Sequence, residues 1–190
     1  LALSGEALRL LGATAEEVHA FFASNPAMAN PDPAAVAARF QALGASQQAY
    51  RHRRPAGSAM DLLADLGTDR TFLWPALQLA EAVPGPAFAY QFDWSPPTSR
   101  FRACHCIELP FVFGNFPNWP DAGMLEGGDP AEMQALSATL RAAWAAFIHH
   151  GDPSLPSLPW PRYDAAHRRT MRFDRVIAIV GDPAGMETRR

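Results

Sequence analysis

Apolar and polar positions change period several times along the chain, and each change marks an element. Ala7-Leu-Arg-Leu-Leu-Gly12 is an apolar run broken only by Arg9 and closed by a glycine, the pattern of a short buried strand. Thr14-Ala-Glu-Glu17 has the form of a helix N-cap with a capping-box carboxylate, leading into Val18–Phe22. Asn25 to Pro33 reads as a loop, and Pro33 to Leu43 as a helix with Val36, Phe40 and Leu43 on one face. The basic stretch Arg51–Arg54 reads as a solvated turn. Ala59 to Val83 has a helical period, and Pro75 inside it predicts either a helix start or a kink.

Ala87-Phe-Ala-Tyr-Gln-Phe-Asp93 alternates and is the clearest strand of the chain. A proline-bearing loop, Ser95 to Thr98, follows. Pro130 opens a strong helix, Ala131 to His150, with Met133, Leu136, Leu140, Trp144, Phe147 and Ile148 at helical spacing and Gly151 as its stop. Prolines between Pro153 and Pro161 make a rigid loop, and Thr170 to Val180 reads as a terminal strand pair. Strands alternating with helices predict an α/β architecture with a large helical share.

Composition narrows the function classes. The 190 residues are 48% apolar and 18% charged, with 16 basic against 19 acidic side chains and a net charge of -3. One sizeable core, and hence one domain or a large piece of one, is expected at this length. Every basic side chain other than histidine is arginine, and the near-neutral balance lacks the clustered positive field a phosphate backbone needs, so no nucleic-acid partner is expected. Charge-free stretches such as Val176 to Gly181 fall far short of the ~20 apolar residues that cross a bilayer. A soluble protein without a membrane span is expected. Two cysteines one residue apart, Cys104 and Cys106, form no disulfide framework, which favours a cytoplasmic setting. The chain opens at Leu1 without an initiator Met, so an upstream segment is expected to have been removed or left out. The Arg-only, Ala- and Pro-rich usage fits a GC-rich bacterial genome.

Functional groups in an open α/β sheet collect on loops past the carboxyl ends of strands. Glu17, five residues beyond Gly12, and His105, twelve beyond Asp93, satisfy that placement. A carboxylate that holds a histidine fixes its tautomer and stabilises the imidazolium formed when the ring takes a proton. The nucleophile is missing: Ser58 has Ala56 and Met60, and Ser4 has Ala2 and Glu6, where a Gly-x-Ser-x-Gly elbow requires glycines.

Two segments carry a family resemblance. Gly12-Ala-Thr-Ala-Glu-Glu-Val-His-Ala-Phe-Phe22 resembles the segment around the catalytic acid of the type B carboxylesterases. Ala103-Cys-His-Cys-Ile-Glu-Leu-Pro-Phe-Val-Phe-Gly114 resembles the stretch around that family's catalytic histidine. Asp61-Leu-Leu, Thr68-Asp69 through Pro75 to Glu81, and Trp144 through Asp152-Pro153 to Trp160 and Tyr163 extend the likeness over nearly the whole chain. The resemblance implies the helix-rich C-terminal part of an α/β-hydrolase fold, with the last strands of its central sheet. It makes Glu17 the triad acid and His105 the general base in hydrolysis of a small-molecule carboxylic ester. Glu108 becomes a companion of the histidine loop, and Phe21 a lining residue of the acyl pocket. No metal or cofactor is implied. The serine, its oxyanion hole and the first strands then belong to the N-terminal part of the same enzyme, and the chain alone is expected to be inactive. Glu16 stands where the family has Asp, so whether Glu16 or Glu17 faces the histidine stays open.

Plainer readings compete at each position. Glu17 is also the fourth residue of a capping box. His105 between two cysteines could be half of a metal site, but ligands at i and i+2 with no second cysteine pair match no closed zinc pattern. Neighbouring thiols in an extended loop point away from the ring. His149-His150 suits a helix C-terminus. A non-catalytic adhesion or binding module of the same fold, and an inactive fragment with a large exposed apolar face, are the rival readings of the whole.

Overall fold

The computed structural model describes residues 8–183 and 185, so the predicted strand start Ala7 and the serine at position 4 lie outside the described residues. Four strands form one sheet in the order β1 (Arg9–Thr14), β2 (Ala87–Phe92), β3 (Arg169–Phe173), β4 (Ala178–Gly181). The first three run parallel and β4 returns antiparallel to β3. The expected α/β architecture is present.

β1 continues to Thr14, past the glycine that the pattern takes as its end. Gly12 is a strand residue opposite Tyr90, and a Cβ there would run into the Tyr90 ring. The missing side chain admits an aromatic neighbour and stops nothing.

Between β1 and β2 run α1 (His19–Ala23), α2 (Pro33–Ala42), α3 (Gln47–Arg53), α4 (Ala59–Thr68) and α5 (Trp74–Ala82). The basic stretch expected as a solvated turn at Arg51–Arg54 is the end of α3, a helix capped by Ser46 at its start; Arg51, His52 and Arg53 are exposed, and Arg54 alone reaches inward to two carboxylates. α4 passes into α5 through a π-turn, Asp69–Leu73, where the Trp74 N–H bonds to the Asp69 carbonyl. Pro75 has no N–H to offer, so the register changes where the bond is lost in any case. Thr14 does not cap α1. It ends β1, and its hydroxyl is buried without a partner, so only the carboxylate half of the predicted capping box exists.

After β2 come α6 (Leu109–Phe113) and α7 (Pro130–His150). Asp129 accepts from the Glu132 N–H at the start of α7, and Gly151, at φ 72, closes its end. Met133, Leu136, Leu140 and Ala143 of α7 pack with Phe111 against Phe88, Phe92, Met171 and Phe173 on one sheet face. Ile148 breaks the predicted stripe and is exposed, because it follows Phe147 one step around the helix. The other face carries Ala13, Ala87 and Ala89 against Leu73, Leu77 and Tyr163. Val36, Phe40, Tyr50, Leu62 and Leu66 form a smaller core among α2, α3 and α4. No helix among the described residues is long and apolar enough to cross a membrane.

Candidate active site

Parallel pairing of β1 with β2 places the turn after β1 beside the loop after β2. The two backbones are joined there: the Glu16 N–H donates to the Ala103 carbonyl at 3.0 Å, and the His105 N–H to the Glu17 carbonyl at 3.3 Å. Residues 88 positions apart therefore meet, with Glu17 Oε2 2.6 Å from His105 Nδ1. The other oxygen, Oε1, accepts from the Thr14 N–H at 2.7 Å. Glu17 is 4% exposed, whereas the His105 side chain is 41% exposed.

A carboxylate can only accept, so this bond puts the proton of neutral His105 on Nδ1 and leaves Nε2 with a lone pair. The ring packs beside two phenylalanines, Phe21 of α1 at 5.9 Å and Phe72 of the π-turn at 5.1 Å between centroids. It opens on a cavity of about 590 Å³ whose walls include Phe21, Phe101, Cys104, Trp119 and Met124.

Glu16 points away from His105. It accepts from Arg54 at 2.8 Å, from Arg102 at 3.1 Å and from the Ala103 N–H at 3.4 Å. Glu17, and not Glu16, thus faces the histidine.

The histidine loop is no extended segment, as the sequence suggests, but a tight turn. Arg102 and Cys106 adopt φ values of 55 and 68, a left-handed conformation that non-glycine residues rarely take. Fully buried Ile107 anchors the turn, and its N–H donates to the Cys104 carbonyl. Left-handed residues persist where surrounding structure holds them, and they cluster at functional sites.

The cysteines take no part in the pair. Cys104 is buried with its sulfur 4.0 Å from that of Met124, and burial pushes its thiol up to about 11. Burial also raises the thiol of half-buried Cys106. Glu108 sits under the loop with Oε2 buried and unpartnered, and burial first, then the charge of Glu17, hold its carboxyl above the ordinary glutamate range. His19, which the sequence leaves unassigned, is buried 3.7 Å from Asp61, and burial and Arg102 keep its imidazole below the usual value. Among the described residues no group of three His, Cys, Asp or Glu is placed to hold a metal ion.

Phe72 beside the ring reads in the sequence as part of an apolar helical run, and Trp119 and Met124 of the cavity wall fall in a stretch without periodicity, so none of the three stands out. Sequence reasoning also missed the Arg54 and Arg102 contacts to Glu16, which depend on tertiary approach alone.

A mostly parallel sheet with helices on both faces, and with an acid and a histidine past adjacent strand ends, is the arrangement of the α/β-hydrolase class. Comparison with known proteins gives the family. The model of the carboxylesterase family matches residues 14–183, and the chain belongs to that family. It is 38% identical over 119 residues to a para-nitrobenzyl esterase of Bacillus subtilis (strain 168), covering 61% of this chain and 24% of that protein. It is 31% identical to a phenmedipham hydrolase of Pseudarthrobacter oxydans over 91% of this chain and 35% of that protein. Among solved structures, a Geobacillus stearothermophilus carboxylesterase superposes with a TM-score of 0.76 at 25% identity, over 94% of this chain and 39% of that one. The chain spans about a quarter to a third of the length of the two curated relatives.

Proposed function

We propose that this chain is the C-terminal part of an α/β-hydrolase domain and supplies the acid and the base of a Ser-His-Glu triad that hydrolyses carboxylic esters. The observation that carries the reading is the 2.6 Å bond from buried Glu17 to Nδ1 of partly exposed His105. In this scheme Nε2 takes the proton of a serine hydroxyl as the hydroxyl attacks the ester carbonyl. The imidazolium, held by Glu17, then protonates the departing alcohol, and neutral His105 next activates water to release the acid.

The serine and the oxyanion hole come from the N-terminal part of the same enzyme. Two features support that division: the short share of each relative that the chain covers, and β1, which pairs with β2 on one side only among the described residues. Exposed Leu8 lies at the start of that open edge, where a further strand would pair. The apolar cavity beside His105 suits an ester with an aromatic or alkyl group, and fits the name of one relative, a para-nitrobenzyl esterase. The free thiols fit a cytoplasmic enzyme.

The test is hydrolysis of a chromogenic short-chain ester by the chain joined to the N-terminal part that bears the serine. The 190 residues alone are expected to be inactive. In the joined enzyme His105→Ala lowers kcat by roughly four orders of magnitude or more. Activity that survives this substitution ends the assigned role, and absence of activity in the joined enzyme favours the non-catalytic reading.

A further inference from the structure

Arg54 lies outside the acid–histidine pair, yet it bonds Glu16, the neighbour of Glu17 in the turn that meets the histidine loop. Its Nη2 donates to Glu16 Oε1 at 2.8 Å and to Asp65 Oδ1 at 3.2 Å, and its Nε donates to Asp65 Oδ2 at 3.1 Å. Arg102 makes the parallel tie, 3.1 Å from Glu16 and 2.8 Å from Asp61. Asp61 and Asp65 belong to α4, so both arginines bolt Glu16 to that helix. Glu16 in turn holds Ala103 through two hydrogen bonds, one from its backbone N–H and one to its side chain. Glu16 precedes Glu17, and Ala103 lies two residues before His105. Glu16 therefore helps set the separation of the turn after β1 and the histidine loop, together with the bond from the His105 N–H to the Glu17 carbonyl.

We infer that Arg54, acting through Glu16, is a positioning residue for the Glu17–His105 pair. The inference rests on the triad reading for its effect on rate, but not for its effect on geometry. Three carboxylates, Glu16, Asp61 and Asp65, share two guanidiniums, and their side chains are only 14%, 9% and 3% exposed. Without Arg54, Asp65 loses the guanidinium that bonds both of its oxygens, Glu16 keeps Arg102 alone, and Glu16, the more exposed of the two, moves away from Asp65 toward water. That movement releases the Ala103 amide and lets the histidine loop shift. A shift of about 1 Å takes a 2.6 Å contact out of hydrogen-bond range.

The test compares Arg54→Met, which keeps an apolar stem, with Arg54→Lys, which keeps the charge but not the planar fork that reaches two carboxylates. In the serine-bearing enzyme Arg54→Met lowers kcat on the order of 10- to 100-fold with KM within about twofold. Arg54→Lys recovers part of that loss. Val36→Ala, in the core that α2, α3 and α4 share but without a contact to Arg54 or Glu16, serves as a control that loses stability through packing but keeps kcat.

A second readout needs no activity: the downfield proton NMR signal of the His105 Nδ1–H, assigned by its disappearance in His105→Ala. It weakens or shifts in Arg54→Met and partly returns in Arg54→Lys. An unchanged signal and kcat in a folded Arg54→Met protein overturns the inference, as does an equal loss of kcat in Val36→Ala. If Arg54→Met does not fold, Arg54→Lys decides: a reduced kcat with a shifted signal supports the inference, and wild-type values of both overturn it. Hydrolysis that survives His105→Ala defeats the triad reading separately and leaves the NMR comparison readable.

Discussion

Glu17→Gln changes one buried atom and should reverse the role of His105. The carboxamide it introduces has two orientations. With its oxygen kept on the Thr14 N–H, now 2.7 Å from Glu17 Oε1, its NH2 group faces Nδ1 of His105. Nδ1 must then accept, the ring proton moves to Nε2, and the nitrogen that should take the serine proton already carries one. The flipped orientation restores the correct tautomer but sets two donors, the amide NH2 and the Thr14 N–H, against each other in a buried site. Leaving such a donor unsatisfied costs about 1–3 kcal/mol. At about 1.4 kcal/mol per decade, the unproductive tautomer is favoured roughly 5- to 150-fold. Loss of the charge that stabilises the imidazolium adds to this, and a decrease in kcat of about 10⁴ follows in the serine-bearing enzyme. Nitrogen-15 shifts of the labelled His105 ring report which nitrogen holds the proton, independently of any assay. A Glu17→Gln variant with the proton still on Nδ1 and kcat within about tenfold of wild type would refute the reasoning.

The carboxyl of Glu108 is raised from 4.5, mainly by burial, so the folded protein holds that proton more tightly than the unfolded chain. Stability is then greatest where Glu108 is protonated in both states, and declines as pH rises through the folded-state value. Glu108→Gln is expected to raise Tm at pH 7 and to leave it unchanged below the ordinary glutamate value of 4.5; a gain that does not vary with pH contradicts this. The thiol of Cys104, buried and pushed up to about 11, should resist iodoacetamide at pH 8 until the protein unfolds. Half-buried Cys106 should label first, and peptide mass spectrometry shows the order. Phe111 is fully buried, with the rings of Phe92, Trp94 and Phe116 at 5.1, 4.9 and 5.1 Å. Phe111→Ala should cost about 3–5 kcal/mol in urea unfolding, and a loss below about 1 kcal/mol would place the histidine loop outside the core.

Elements governed by local rules were legible in the sequence. α7 carries its own cap at Asp129, Pro130 at its first position and Gly151 at its end, and β2 alternates over its whole length. Both follow from backbone chemistry and periodicity alone. The pairing of a carboxylate after β1 with His105 was legible from their strand-end places and by resemblance, although the choice between Glu16 and Glu17 needed the structure. Both are carboxylates in one turn, and only the direction of the chain after Thr14 separates them. α3 was illegible because its last turn is charged, and a charge run reads as solvated unless its distant partners are known. Arg54 finds those partners 11 and 38 positions away. Gly12 misled because a glycine that ends a strand and one that makes room for a ring look alike. Cys106 in a left-handed turn has no sequence signature, since the conformation is imposed by the packing of Ile107 and by the bonds to Glu16 and Glu17.

The most direct test is a crystal structure of the serine-bearing enzyme inactivated by a phosphonate ester. The account predicts His105 Nε2 within about 2.6–3.2 Å of the modified serine oxygen, with Nδ1 still bonded to Glu17. A modified serine whose nearest imidazole is not His105, or a His105 ring turned so that Nε2 faces away from the adduct, would contradict it.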